Sequence, residues 1–343
     1  MNDDVVLRAE HLSVSYAGAR PTRAVRDVSL ELRRGEVLGI AGESGCGKST
    51  LAYALTRMLR PPAELTSGSI TYHGRDGVTV DLLALDAERL RTFRWNTVSM
   101  VFQSAMNALN PVTTVGRQFA DIFVAHRPAM DARARDERAR ALLDLVGIDP
   151  DRVRAFPHEL SGGMRQRVVI AMALALDPEI VVMDEPTTAL DVVVQREILD
   201  EIEDLRERLG FSVIFITHDL SLLLEISDRL AVMYAGEIVE YAPAESVRLD
   251  AAHPYTRGLL RSFPDLRGGR RELRGIPGTP PDLRSDVVGC AFTARCESAF
   301  EPCPVSAPTL APVGRPDADW TVACHLHTEA VHIPAAHTEE GPR

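Results

Sequence analysis

Residues 37–50 read Val-Leu-Gly-Ile-Ala-Gly-Glu-Ser-Gly-Cys-Gly-Lys-Ser-Thr, and this stretch decides the fold. The apolar run 37–41 has the length of a buried strand and enters the loop Gly42-Glu43-Ser44-Gly45-Cys46-Gly47. Residues 49–59 then place Leu51, Leu55, Met58 and Leu59 at helical spacing, and Pro61-Pro62 is expected to stop that helix. Strand, glycine loop and helix are the context in which the pattern G-x-x-x-x-G-K-S/T holds phosphate. The glycines let the backbone wrap closely and turn its N–H groups toward an anion. A helix beginning at Ser49 adds its positive end at the same place. Lys48 is then expected to bridge phosphate oxygens, Ser49 to offer its hydroxyl to Mg²⁺, and Thr50 to complete the motif. The basic residues number 38, and Lys48 is the only lysine among them. A chain otherwise committed to arginine keeps its one compact, flexible ammonium inside the glycine loop.

Such a loop serves many ATPases and GTPases, so two further stretches carry the class. Ile180-Val181-Val182-Met183-Asp184-Glu185 is an apolar strand ending in two carboxylates. Asp184 is placed to hold Mg²⁺ through water and Glu185 to polarise an attacking water; a helix cap is the other reading of the pair. Leu160-Ser161-Gly162-Gly163-Met164-Arg165-Gln166-Arg167 combines a serine hydroxyl and glycine amides at a helix start, which makes a second anion site. The first loop already occupies the chain's own nucleotide.

This octapeptide resembles the signature motif of the ABC ATPases, and the resemblance extends over roughly residues 5–245. It implies a P-loop NTPase cassette of α/β class, with a RecA-like core, an antiparallel β subdomain and an inserted helical subdomain. It also implies that Ser161, Gly162 and Gly163 face the γ-phosphate of ATP held by an opposite subunit. By the same resemblance Tyr16 stacks on adenine, and Gln103 in Val101-Phe102-Gln103 senses Mg²⁺ and the nucleophilic water. Asp191 in Ala189-Leu190-Asp191 belongs to a loop that crosses to the partner, and His218 contacts the γ-phosphate. Glu185, His218 and Gln103 are thus the expected catalytic set, acting on ATP with Mg²⁺ held at Ser49, Gln103 and Asp184.

The 343 residues suffice for one large α/β domain and a smaller appendage. Alternating residues over 5–40 predict antiparallel strands, 180–183 and 213–216 predict buried parallel strands, and 232–239 a hairpin turning at Ala235-Gly236. Residues 112–165 or so are charged and helical, as an inserted subdomain would be. The expected divisions are a nucleotide-binding unit 1–245, a linker helix 246–275, a Cys-rich domain 276–328 and a disordered tail 329–343. No apolar run approaches the roughly 20 residues of a membrane span, and the acidic start Met1-Asn2-Asp3-Asp4 does not read as a signal peptide. The expected location is the cytoplasmic face of a membrane, reached through partners. A net charge of -11 argues against nucleic acid as the main ligand, though not against a nucleotide bound in a local nest.

Ser104-Ala105-Met106-Asn107-Ala108-Leu109-Asn110-Pro111, the arginine-rich continuation of the signature and Pro254-Tyr255-Thr256-Arg257-Gly258-Leu259-Leu260 resemble the oligopeptide/dipeptide importer ATPases. That resemblance implies a second, related ATPase subunit, two membrane permeases and an external substrate-binding protein. Relatives that import nickel or other solutes stay open, as does a non-transport ABC ATPase of repair or translation. Neither a coiled-coil insertion nor a second cassette favours the latter.

Cys290, Cys296, Cys303 and Cys324 lack a C-x-x-C pair. Four thiolates at irregular spacing suit an iron–sulfur (4Fe-4S) cluster better than a zinc ribbon; Zn²⁺ and four plain thiols are the alternatives. The surrounding residues resemble the C-terminal cysteine region of the peptide-importer ATPases, some of which hold such a cluster; His325 and His327 are reserve ligands. Cys46, beside Lys48 and a helix start, is expected to have a lowered pKa and to be protected by ATP, unless it simply fills space.

Overall fold

The computed structural model describes residues 4–103, 108–188, 190–262, 275–314 and 319–327. Residues 104–107, Ala189, residues 263–274 of the expected linker and the expected tail lie outside the described residues.

Strands β1 (Val5–Tyr16) and β2 (Thr22–Arg33) pair antiparallel, with Leu7 opposite Leu32 and Val14 opposite Val25. Then come β3 (Val37–Ala41) and helix α1 (Lys48–Leu55). Strands β4 (Ala63–His73) and β5 (Thr79–Asp81) complete a four-stranded antiparallel sheet of order β2-β1-β4-β5. Helix α2 (Ala87–Asn96) leads to β6 (Val98–Val101). The helices α3 (Val115–His126), α4 (Ala132–Leu145) and α5 (Gly162–Ala173) follow. Then β7 (Ile180–Asp184), α6 (Val192–Leu209), β8 (Ser212–Ile216) and α7 (Leu220–Ile226) alternate. The last elements are β9 (Arg229–Tyr234), β10 (Glu237–Pro243), α8 (Ala244–Asp250), α9 (Pro254–Ser262), β11 (Ala311–Pro312) and β12 (Thr321–Val322).

The second sheet has the order β11-β12-β10-β9-β3-β8-β7-β6, and its strands from β9 to β6 are parallel. Parallel strands need cover on both faces, which is why β3, β7, β8 and β9 are buried along their whole length. The side-chain period of two sends alternate residues to opposite layers. Ile180, Val182, Ile214 and Ile216 join α1 and the antiparallel sheet in one core, whereas Val181, Met183, Val213 and Phe215 join the helical layer in the other. Each strand thereby binds the two layers together.

The expected helical insertion is present. Asp131 starts α4 by accepting from Ala134 N–H at 2.8 Å, and α3 buries Val115, Phe119, Ile122 and Phe123 on one face. The hairpin turn is present too, with Ala235 at φ 51° and Gly236 at φ 86°, the handedness that matches strand twist. Helix α1 is shorter than its apolar spacing predicts. Thr56 Oγ donates back to Ala52 O at 2.9 Å, and Arg57 turns left-handed at φ 56°. Arg94 Nε donates to Thr56 O at 3.2 Å, so an arginine from α2 finishes a helix that Met58 and Leu59 would otherwise prolong.

The chain after α9 packs onto the main sheet. β12 pairs with β10, and Ala323 N–H donates to Val239 O at 2.8 Å. The buried Glu240 carboxylate accepts from Ala252 N–H, His253 N–H and Trp320 Nε1 at 2.7, 3.0 and 3.0 Å, which fastens the chain on both sides of α9 to β10.

Candidate functional site

Because β3, β6, β7 and β8 are parallel, the residues following each strand emerge along one edge of the sheet, where ligands of such sheets bind. The glycine loop follows β3, Gln103 follows β6, Glu185 follows β7 and His218 follows β8. Four segments far apart in sequence thus reach one place.

The glycine loop is shaped by close backbone contacts. Gly42 lies at φ 148°, where a Cβ would stand 2.3 Å from Met233 O; Gly47 lies at φ 108°, with a Cβ position 2.1 Å from Ala24 O. Only glycine fits either position. The β9–β10 turn supports the loop from below, since Gly236 N–H donates to Cys46 O at 3.0 Å. Ser44 and Gly45 form its exposed tip. Lys48 is buried and its Nζ donates to Gly42 O at 2.7 Å and Glu43 O at 2.9 Å, so the ammonium spans the loop mouth. Tyr16 shares a 3.0 Å hydrogen bond with Thr50 Oγ1, which sets its ring beside the start of α1.

Ser49 Oγ donates to Asp184 Oδ1 at 3.0 Å, and Asp184 Oδ2 is buried without a hydrogen-bond partner. Burial pushes the Asp184 carboxyl above its ordinary pKa; the Ser49 hydrogen bond opposes that shift and the Glu185 charge adds to it. A hydroxyl beside an orphaned buried carboxylate oxygen is a donor set that fits Mg²⁺. Glu185 stands at φ 48°, a left-handed conformation that turns its side chain out of the strand. Gln103 Nε2 donates to its Oε2 at 2.9 Å, Thr188 Oγ1 donates to the same oxygen at 3.0 Å, and His218 Nδ1 lies 3.6 Å from Oε1.

The signature residues stand apart from this cluster. Ser161 caps α5, its Oγ accepting from Met164 N–H at 3.2 Å. Ser161, Gly162 and Gly163 open into a cavity of about 720 Å³ lined also by Leu190 and Asp191 and by no residue of the glycine loop. Asp191 itself caps α6, accepting from Val193 and Val194 N–H at 3.1 and 3.0 Å.

Cys290, Cys296, Cys303 and Cys324 line one small cavity together with His253, Phe292 and Phe300. Yet no three His, Cys, Asp or Glu side chains among the described residues form a group spaced to hold a metal ion. The four thiols expected to hold an iron–sulfur or zinc centre thus converge on one cavity, without metal-holding spacing among the described residues. Burial raises the thiol pKa of Cys290, Cys296 and Cys324, the last to about 11. His325 Nε2 is bonded to Ser306 O at 2.8 Å and His327 Nε2 to Ala252 O at 3.1 Å, so both reserve ligands have backbone partners. Cys46 also departs from expectation. It is 5% exposed, and burial pushes its thiol up, outweighing the lowering effect of Lys48.

Sequence reading missed three contributors. Thr188 orients Glu185 from three residues downstream, a spacing legible in Glu185-Pro186-Thr187-Thr188. Tyr255 and Arg295 reach Glu43 of the loop from more than 200 positions away, which no local pattern signals.

Comparison with known proteins matches this architecture. Residues 25–188 match the ABC transporter family, and residues 239–303 match the oligopeptide/dipeptide transporter C-terminal region. A probable peptide ABC transporter ATP-binding protein of Sinorhizobium fredii is 44% identical over 335 residues, covering 96% of this chain and 97% of that protein. An oligopeptide transport ATP-binding protein of Bacillus subtilis is 44% identical over 303 residues, covering 86% and 82% of the two chains. Among solved structures, an ATP-binding cassette in a dimeric post-hydrolysis state with ADP and Pi superposes with a TM-score of 0.60 at 28% identity. That match covers 69% of this chain and 98% of that one. The loop, the carboxylate pair, the signature octapeptide and these likenesses together place the chain in the ABC transporter ATP-binding family, as an ATPase of the group carrying the oligopeptide/dipeptide transporter C-terminal region.

Proposed function

We propose that this ATPase powers the import of oligopeptides or dipeptides, working as one of two cassettes that clamp ATP between them. The observation that carries the reading is the separation of its two anion sites: the glycine loop and Ser161–Gly163 share no cavity. A signature loop that does not close on its own nucleotide is suited to close on a partner's. The peptide-transport names of the relatives supply the substrate class.

In this reading Lys48 leaves the Gly42 and Glu43 carbonyls to meet the β- and γ-phosphates, and the loop amides hold the rest of the charge. Ser49 and Asp184 would hold Mg²⁺, which would supply charge neutralisation for the phosphates. Gln103 and Thr188 fix the Glu185 carboxylate, which accepts a proton from water as it attacks the γ-phosphorus; ADP leaves as the bond to its β-phosphate oxygen breaks. In the same reading His218 meets the γ-phosphate oxygens and Tyr16 stacks on adenine. The partner's Ser161–Gly163 equivalent completes the enclosure, and losing the γ-phosphate removes what held the pair shut. Two permeases and an external binding protein complete the machine, which keeps this chain at the membrane; among the described residues no helix is long and apolar enough to cross it.

The test is ATPase rate against protein concentration, with light scattering to follow assembly. A rate per chain that rises with concentration, or on adding a second cassette, and collapses in Ser161→Arg is expected. Full turnover by a strict monomer, indifferent to changes at Ser161 and Gly162, sinks the proposal. Peptide import is tested by co-expressing the chain with candidate permeases and measuring labelled-peptide uptake in vesicles, which Glu185→Gln should abolish.

Residues 1–245 serve in this reading as the nucleotide-binding unit, and 276–328 as a cysteine-bearing brace. The four cysteines are the proposed ligands of a 4Fe-4S centre, or of Zn²⁺, supported by their convergence on one cavity. Iron and acid-labile sulfide in anaerobically purified protein, lost in Cys290→Ser, are expected; stoichiometric zinc selects the alternative, and neither leaves four thiols.

A further inference from the structure

The phosphate loop is gripped from the C-terminal segment. Arg295 donates from Nη1 to Glu43 Oε2 at 2.7 Å and from Nη2 to Glu43 Oε1 at 2.8 Å, a two-pronged pair whose arginine side chain is only 4% exposed. The guanidinium is itself held. Its Nε donates to Pro277 O at 2.8 Å, Nη1 to Tyr234 Oη at 3.3 Å, and its carbon lies 5.7 Å from the Tyr234 ring centre. The backbone of the same glutamate is held too: Glu43 N–H donates to Tyr255 Oη at 2.9 Å, and Glu43 O accepts from Lys48 Nζ at 2.9 Å. Tyr234, Tyr255 and Phe292 pack ring against ring at 4.6 to 5.4 Å beneath these bonds. A loop residue between Gly42 and Ser44, where mobility would be expected, is thus fixed at its amide, its carbonyl and its carboxylate.

We propose that Arg295 is a positioning residue for ATP binding, acting on the phosphate loop through Glu43, so that the C-terminal segment is part of the nucleotide site. Two physical effects follow from the geometry. The guanidinium cancels a carboxylate that would otherwise face the incoming phosphates from within the loop itself. It also fixes the backbone that carries the Glu43 carbonyl, and hence the resting place of Lys48. A bidentate, nearly desolvated arginine pair is stronger and more directional than a surface ion pair. The carboxylate is the less buried partner, with its side chain 26% exposed, so it is free to act on a ligand in the loop once its arginine is gone.

This inference rests on the nucleotide reading above and deepens it. The experiment is titration of the full-length chain with mant-ATP and Mg²⁺, together with steady-state ATPase kinetics, for Arg295→Ala, Arg295→Lys, Glu43→Ala and the Arg295→Ala/Glu43→Ala double variant. Arg295→Ala should raise the mant-ATP Kd and the KM for ATP about tenfold while kcat stays within about threefold. Arg295→Lys, which keeps the charge but not the fork, should give an intermediate rise and guards against misfolding of the alanine variant. In the Glu43→Ala background the effect of Arg295→Ala should vanish, because the residue through which it acts is gone. An unchanged Kd in soluble Arg295→Lys and Arg295→Ala, or an equal Arg295→Ala effect with and without Glu43, overturns the proposal. Failure of the unaltered chain to bind mant-ATP sinks the nucleotide reading itself and the proposal with it.

Discussion

Ser49 Oγ donates to only one of the two Asp184 carboxylate oxygens, at 3.0 Å, and leaves the other buried with no partner. An unpaired buried acceptor is costly to maintain unless a ligand satisfies it. Under the function proposed above, that ligand is Mg²⁺ or its water shell. Asp184→Asn keeps the shape and the Ser49 contact but loses the charge. The expected result is a loss of about 10–100-fold in Mg²⁺ affinity in the presence of nucleotide, with metal-free nucleotide binding retained. Equal Mg²⁺ dependence in Asp184→Asn and the unaltered chain would show that the oxygen serves another purpose.

Glu185→Gln addresses the proposed water-activating role. Gln103 Nε2, Thr188 Oγ1 and His218 Nδ1 surround the carboxylate at 2.9, 3.0 and 3.6 Å, so an isosteric amide changes basicity more than position. Loss of a positioned base lowers kcat by about 10²–10⁴-fold, while ATP binding should persist and the two-cassette assembly should outlive that of the unaltered chain. Turnover near the unaltered rate would assign the base elsewhere.

Cys46 should be inert. Burial holds its thiol protonated at neutral pH in spite of Lys48, whose Nζ lies 3.9 Å from Sγ. At pH 8 iodoacetamide should label it roughly ten times more slowly than an ordinary exposed thiol, whose pKa is about 8.5. Mass spectrometry of tryptic peptides reads this directly. Rapid labelling at Cys46 would mean that the loop opens in solution.

Glu201 predicts a pH-dependent stability. Its carboxyl is pushed up to about 7, chiefly by burial, with Asp204 and Glu197 adding to the rise and Arg167 opposing it. A carboxyl whose folded pKa is raised contributes its stability below the unfolded value, and loses it as pH climbs through the window from about 4.5 to about 7. Glu201→Gln removes the cost of the buried charge while an amide oxygen can still accept from Arg167. The variant should therefore melt about 2–4 °C above the unaltered chain at pH 8, with the difference shrinking at pH 5. Calorimetry at the two pH values decides it; a variant that melts lower at pH 8 reverses the sign and the argument.

Much of this protein is legible in one dimension because its chemistry depends on backbone shape over a few residues. Residues 37–50 carry strand, loop and helix in sequence order, and the glycines at 42 and 47 are required by carbonyls that leave no room for a Cβ. The apolar runs 180–183 and 213–216 could only be strands covered on both faces, as β7 and β8 are. Ser161 at a helix start and the paired Asp184 and Glu185 are equally local signals.

The rest needed the tertiary structure, since it depends on where distant segments meet. The spacing of Leu55, Met58 and Leu59 continues a helix, yet Arg94 from α2 caps its carbonyls and ends it early. Cys46 lies beside a lysine in sequence, but the packing of β9 against the loop dries it and decides its pKa. Four scattered cysteines come to one cavity without reaching metal-holding spacing. Arg295 and Glu43 are 252 residues apart, and nothing in either neighbourhood points to the other. Local pattern determined what each segment is, because dihedral preferences and side-chain period act over a few residues. Partnership across the sheet decided what each side chain does, because charge, burial and orientation are set by whatever the folded chain brings alongside.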